Sequence, residues 1–366
     1  MHSQFRQLMK QATRLTRSGD LIAAMATIRT ALRGDASVAL HRQDASGVID
    51  VEAWEIPESA GVGETAPADI DEIITPTQQS FASGDVFVAG TLRNSGGQRG
   101  YKLYVPPNAA DQPLPLIVML HGCTQDADDF AAGTAMNDAA RAQGFYVLYP
   151  VQSRVTNPQK CWNWFKHNHQ QHGRGEPSIL ADMTRRVIEQ HAIDTQRVYV
   201  AGLSAGGAMA AILASTYPEL YAAAGVHSGL APGAASDLSS ALSAMKGARV
   251  RAPVPVGSGV PAIVFHGDCD QTVHPDNAQG VIDASVGSAA EFDTLYVPGK
   301  NNKRHSTRHM YRNSAGEIIA ERWEVHGAGH AWAGGSENGS YTDRTGPDAT
   351  AEMLRFFFEH TSSTKQ

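Results

Sequence analysis

The chain has 366 residues, 42% of them apolar and 18% charged, and a formal charge of −7. That apolar content can fill a core and excludes wholesale disorder. The acidic balance argues against a nucleic acid as partner. No apolar run approaches the ~18 residues a transmembrane helix requires, so no membrane span is expected.

The opening residues, Met1 to Lys10, lack the apolar segment of a signal peptide. This predicts a cytoplasmic location, or a secreted one if a leader has been removed or export is unconventional. Phe5, Leu8, Met9, Ala12 and Leu15 recur at helical spacing. Ser18-Gly19-Asp20 interrupts them, and Leu21, Met25, Ile28 and Leu32 resume. Residues 1–35 are therefore read as a helical extension whose apolar stripes pack on the chain itself or on a second copy in a homo-oligomer. With Arg6, Lys10, Arg14 and Arg17 the alternative is a hairpin that docks on a surface. Residues 36–82 are acidic, with Pro57, Pro67 and Pro76 interspersed, and read as a linker.

Residues 83–366 carry the pattern of an α/β domain. Val86–Val88 and Tyr101–Val105 read as antiparallel edge strands. Leu116–Leu120, Phe145–Tyr149, Val198–Ala201, Ala223–Val226 and Ala262–Phe265 are short apolar runs of the kind a strand buried on both faces needs, and Arg322–Val325 is a further strand. Helical segments are expected over 126–143, 179–191, 205–217 and 349–360. Strands alternating with helices predict a mostly parallel central sheet flanked by helices.

Gly202-Leu203-Ser204-Ala205-Gly206 lies between a predicted strand and an Ala-rich helix, the context of a nucleophile elbow. Side chains two residues either side of the serine would clash at so tight a turn. A serine hydroxyl needs a base, and in this architecture the acid and then the histidine follow in chain order. The loop after Ala262–Phe265 offers Asp268, Asp270 and Asp276. Asp270 is preferred as the acid, with Asp268 bracing the loop through backbone N–H groups. His330, in Gly327-Ala-Gly-His-Ala-Trp332, is preferred as the base over His326. The N–H groups of Ala205 and Cys123 are the expected oxyanion donors.

His121-Gly-Cys-Thr-Gln125, Cys161-Trp-Asn-Trp-Phe165, Gly202 to Ala210, His227-Ser-Gly-Leu230, His266-Gly-Asp-Cys-Asp270 and Gly329-His-Ala-Trp332 together resemble the polyhydroxybutyrate depolymerase family of esterases, related to feruloyl esterases. The likeness runs from about Gly84 to His360. It implies an α/β-hydrolase fold and hydrolysis of carboxylic esters by a serine nucleophile, with no cofactor or metal. By position it implies Ser204, Asp270 and His330 as the triad and Cys123 and Ala205 as oxyanion donors. Secreted polymer depolymerases of the family usually add a C-terminal polymer-binding domain. Here the sequence stops shortly after Phe358, so efficient attack on crystalline polymer is not expected. Cys269 stands where a small residue is more usual.

The expected substrate is a short-chain hydroxyalkanoate oligomer or polymer, or a small carboxylic ester. A feruloyl-type aromatic ester is the alternative, and an acyltransferase could use the same triad. A non-catalytic granule-docking protein is the alternative of another class. Trp162, Trp164 and Trp332 are candidates to line the pocket. Cys123 and Cys161 are candidates to bridge two active-site loops, although a cytoplasmic setting opposes a bridge. The spacing of His167, His169 and His172 fits no metal site. Lys300, Lys303, Arg304 and Arg308 read as a solvated basic loop.

Overall fold

The computed structural model describes residues 86–362 apart from 95–96, 110–111, 249–258, 288–290 and 300. The proposed helical extension and linker lie outside the described residues.

Among the described residues, ten strands form one sheet. In chain order they are β1 (Val86–Asn94), β2 (Gly97–Val105), β3 (Leu114–Leu120), β4 (Tyr146–Val151), β5 (Ile193–Leu203), β6 (Ala223–His227), β7 (Ala262–Gly267), β8 (Phe292–Val297), β9 (Ser306–Arg312) and β10 (Ile318–Val325). Their spatial order is β1-β2-β4-β3-β5-β6-β7-β10-β9-β8. β4, β3, β5, β6, β7 and β10 run parallel, and antiparallel strands extend the sheet at both sides. A short parallel pair, β11 (Trp332–Ala333) and β12 (Thr342–Asp343), stands apart.

Strand alternation places the core on both faces. Leu116, Val118 and Leu120 of β3 pack to one side, with α3 (Gly175–Gln190) and α4 (Ala205–Thr216). Ile117 and Met119 pack to the other, with α1 (Ala127–Thr134), α2 (Met136–Gln143) and α7 (Ala349–Phe358). The helices α5 (Leu238–Met245) and α6 (Asn277–Val286) complete the layers.

Three sequence expectations are corrected. The helix expected over 126–143 is two helices, because Ala135 takes a left-handed conformation (φ 52°) that breaks the hydrogen-bond ladder. The basic loop is not a free cationic patch. Arg308 belongs to β9 and pairs at 2.5 Å with the buried Glu321, Arg304 pairs at 2.7 Å with Asp343, and the Lys303 ammonium donates to the Arg344 carbonyl. β8 and β9 were not expected at all. β8 is an exposed edge strand, with Phe292, Leu295 and Tyr296 in solvent, and so lacks the apolar run that marks an interior strand.

Candidate active site

The parallel register puts the C-terminal ends of β3, β5, β6, β7 and β10 along one edge of the sheet. Every predicted triad and oxyanion residue follows one of these ends. Ser204 sits directly after β5 with φ 57° and ψ −118°, a strained conformation for a residue with a side chain. Its N–H donates to the His227 carbonyl at 2.8 Å, and its own carbonyl caps α4 by accepting from Ala208. The flanking glycines are sterically required. A β-carbon at Gly202 would lie 2.4 Å from the Gly206 carbonyl carbon. Ala205 opens α4, where a helix leaves its first N–H groups without intrahelical partners.

Asp270 and His330 are brought together. His330 Nδ1 donates to Asp270 Oδ2 at 2.7 Å. This fixes the imidazole tautomer and leaves Nε2 as its basic nitrogen. Asp270 Oδ1 accepts from the N–H groups of Thr272 and Val273, both at 2.9 Å. Burial alone would raise the Asp270 pKa. Hydrogen bonds from His266 and His330, the His330 charge and the Val273 N–H outweigh that and hold the carboxyl well below the ordinary range. The Asp270 carboxyl is therefore ionised at neutral pH. The rival residues form a pair of their own, His326 Nδ1 lying 3.0 Å from Asp268 Oδ2.

The loop after β3 lies against the serine: a β-carbon on Gly122 would be 3.7 Å from Ser204 Cβ. The Gly122 N–H donates to Gln125 Oε1, and Gln125 Nε2 donates to Asp129 and Ser340. Cys123 and Cys161 are joined by a disulfide across 38 residues. The bridge ties the Cys123 loop to the segment after β4. That segment is held by the buried Glu176, which accepts from Gln152, Arg99 and both the N–H and side chain of Asn163. Burial would raise the Glu176 pKa, but its partners, His169 foremost, lower it to about 2.

Two buried histidines escaped the sequence reading. His121 Nδ1 donates to the Gly122 carbonyl, and its Nε2 accepts the Gln152 N–H. His227 Nε2 accepts the Ala333 N–H, and its Nδ1 faces Ser228 Oγ. Burial drives their pKa values down to about 4 and about 3. Both are neutral struts that bind the serine's surroundings to neighbouring loops. The only signal for them was their place in the motifs, directly after β3 and at the end of β6.

The tryptophans offered as pocket walls are buried. Trp162 and Trp332 are 0% and 1% exposed and Trp164 is 5% exposed. Trp162 Nε1 donates to the His121 carbonyl, and Trp332 Nε1 donates to Thr350 Oγ1 while its ring stacks on His227. Trp164 packs edge-on against Phe165. They support the site from within the core because large aromatic rings gain most when fully desolvated. Among the 167–172 histidines, His169 is buried with Nδ1 3.4 Å from Glu176 Oε2.

Residues 99–290 match the family model described as Esterase PHB depolymerase. The chain belongs to that esterase family. It is 31% identical over 270 residues to poly(3-hydroxyalkanoate) depolymerase C of Paucimonas lemoignei, covering 70% of this chain and 64% of that protein. It is 34% identical over 140 residues to feruloyl esterase B of Thermothelomyces thermophilus, covering 38% of this chain and 47% of that one. The chain thus spans about half to two-thirds of the length of these relatives. Among solved structures, an acetyl xylan esterase from Aspergillus awamori aligns with a TM-score of 0.55 at 23% identity, covering 66% of this chain and 93% of the other. That likeness shows the α/β-hydrolase fold.

Proposed function

We propose that this family member hydrolyses carboxylic esters through an acyl-enzyme on Ser204, with short-chain 3-hydroxyalkanoate esters and oligomers as its substrates. The observation that carries the reading is the 2.7 Å bond from His330 Nδ1 to Asp270 on the sheet edge where Ser204 occupies its strained turn. His330 Nε2 takes the hydroxyl proton as Oγ attacks the carbonyl carbon, and Asp270 stabilises the imidazolium. The N–H groups of Ala205 and Cys123 hold the oxyanion, each worth roughly 3–4 kcal/mol in the transition state. The alcohol leaves with the proton from His330. Water, deprotonated by the same nitrogen, then releases the acid.

The substrate class rests on the 3-hydroxyalkanoate depolymerase relative, which aligns over 270 residues against 140 for the feruloyl esterase. The Cys123–Cys161 bridge supports work in an oxidising compartment, the secreted branch of the location expectation.

The test compares initial rates on hydroxybutyrate oligomers, methyl ferulate and p-nitrophenyl esters from C2 to C12, for the wild type and Ser204→Ala. The expected result is fastest turnover of the hydroxybutyrate oligomers and a loss of at least ~10³-fold in kcat in the folded variant. Retained turnover in Ser204→Ala would overturn the nucleophile, and a preference for methyl ferulate would overturn the substrate class.

A further inference from the structure

The Asp268–His326 pair is a repeat of the triad's own carboxylate–imidazole contact, displaced along the same two loops. β7 and β10 pair in parallel up to Gly267 and Val325. Beyond that point the loops stay joined. The Asp268 N–H donates to the Val325 carbonyl, and the Cys269 N–H donates to the Ala328 carbonyl at 3.0 Å. The Asp268 carboxylate engages both of its oxygens. Oδ1 accepts the Gly327 N–H at 2.6 Å, and Oδ2 accepts His326 Nδ1–H at 3.0 Å. His326 Nε2 then accepts the Thr307 hydroxyl at 2.8 Å, and the His326 N–H donates to the His305 carbonyl, so the brace reaches β9.

The segment between His326 and His330 is Gly327-Ala328-Gly329. Gly327 is in the left-handed region (φ 71°), and Gly329 has open space around its α-carbon. Two glycines in three residues give this stretch unusual backbone freedom. The bond to Asp270 sets the direction of the His330 ring but not the position of the loop that carries it.

We propose that Asp268, acting through His326 and the Gly327 N–H, is the positioning residue that sets His330 at the distance from Ser204 that proton transfer needs. Asp268 touches no reacting atom. It removes the conformational freedom of the glycine segment, and a displacement of ~1 Å at such a base costs on the order of 10²-fold in rate. The proposal rests on the esterase reading above, because it assigns His330 the base's role.

The experiment measures kcat and KM on p-nitrophenyl acetate for wild type, Ser204→Ala, Asp268→Ala, Asp268→Asn and His326→Gln. The low-field proton resonance of the His330 Nδ1–H is followed in the same proteins. Asp268→Ala is expected to lower kcat ~10- to 100-fold with KM within about twofold, and to shift or broaden that resonance. Asp268→Asn keeps an acceptor for the Gly327 N–H and recovers most of the rate, a rescue that loss of bulk stability would not give. Should Asp268→Ala fail to fold, His326→Gln carries the same expectation at smaller size. A kcat within twofold of wild type in folded Asp268→Ala, or in His326→Gln should that variant not fold, or an unmoved resonance there, overturns the proposal. Failure of the esterase reading looks different: Ser204→Ala would then keep its activity.

Discussion

A β-carbon placed on Gly206 would lie 2.0 Å from the carbonyl oxygen of Leu120 and 2.6 Å from that of His121. The first turn of α4 is thereby pressed onto the end of β3, and this contact sets the serine turn beside the Cys123 loop. Both opposing atoms are backbone, so neither can rotate away. Gly206→Ala is expected to destabilise the domain by about 3 kcal/mol or more, at the severe end for single substitutions. Ester hydrolysis should fall with it. Thermal unfolding of the purified variant checks the first effect, and a wild-type melting curve would count against so tight a contact.

His121 and His227 predict a stability that falls in mild acid. Each is neutral in the fold, with pKa lowered chiefly by burial to about 4 and about 3. Each takes up a proton near pH 6.5 once unfolded. Between those values the unfolded state binds more protons, so stability decreases as pH falls from about 6.5 and is fully present above it. Each group contributes a slope of ~1.4 kcal/mol per pH unit in its window. Glu176, lowered to about 2, adds a loss only below about pH 4.5. Denaturant titrations from pH 7 to pH 4.5 should show the histidine effect alone, and His227→Gln should remove about one proton from the slope.

Removing the bridge with Cys123→Ser and Cys161→Ser together should cost roughly 3–4 kcal/mol, the loop-closure value for 38 residues. Because the bridge restrains the segment that carries the Cys123 N–H, kcat should fall further than KM rises. A double variant with wild-type kcat would show that the Cys123 loop is held by Gln125 and Asp129 without the disulfide.

Trp332→Phe separates a wall of the pocket from a support beneath it. The substitution loses the hydrogen bond to Thr350, worth ~1 kcal/mol. It should lower the melting temperature while leaving the p-nitrophenyl ester length preference unchanged. A shifted chain-length optimum would return this ring to the substrate's side.

The interior strands were legible because burial on both faces demands continuous apolar runs, as in Leu116–Leu120 and Ala262–Phe265. β8 and β9 were not, since β8 is an exposed edge strand and β9 beside it is mostly half-buried, so neither carries such a demand. The split at Ala135 was hidden because alanine gives no hint of a left-handed residue. Ser204, Asp270 and His330 could be named from their places after strand ends, and the structure pairs the last two. His121 and His227 could not be given roles, because a strut is defined by its partners, here Gln152 and Ala333, which lie far off in sequence. The burial of the tryptophans was hidden for a related reason: a motif shows that a ring is near a site but not which way it faces.

The strand-end arrangement also governs when the site can exist during synthesis. Ser204 precedes Asp270 by 270 − 204 = 66 residues, and Asp270 precedes His330 by a further 60. β10, which carries the histidine loop, is the last strand of the large sheet and takes its place between β7 and β9. No nascent chain shorter than about residue 330 can hold the three groups together. Contacts of such long range are slow to close, so the three groups come together only after β10 has docked against β7.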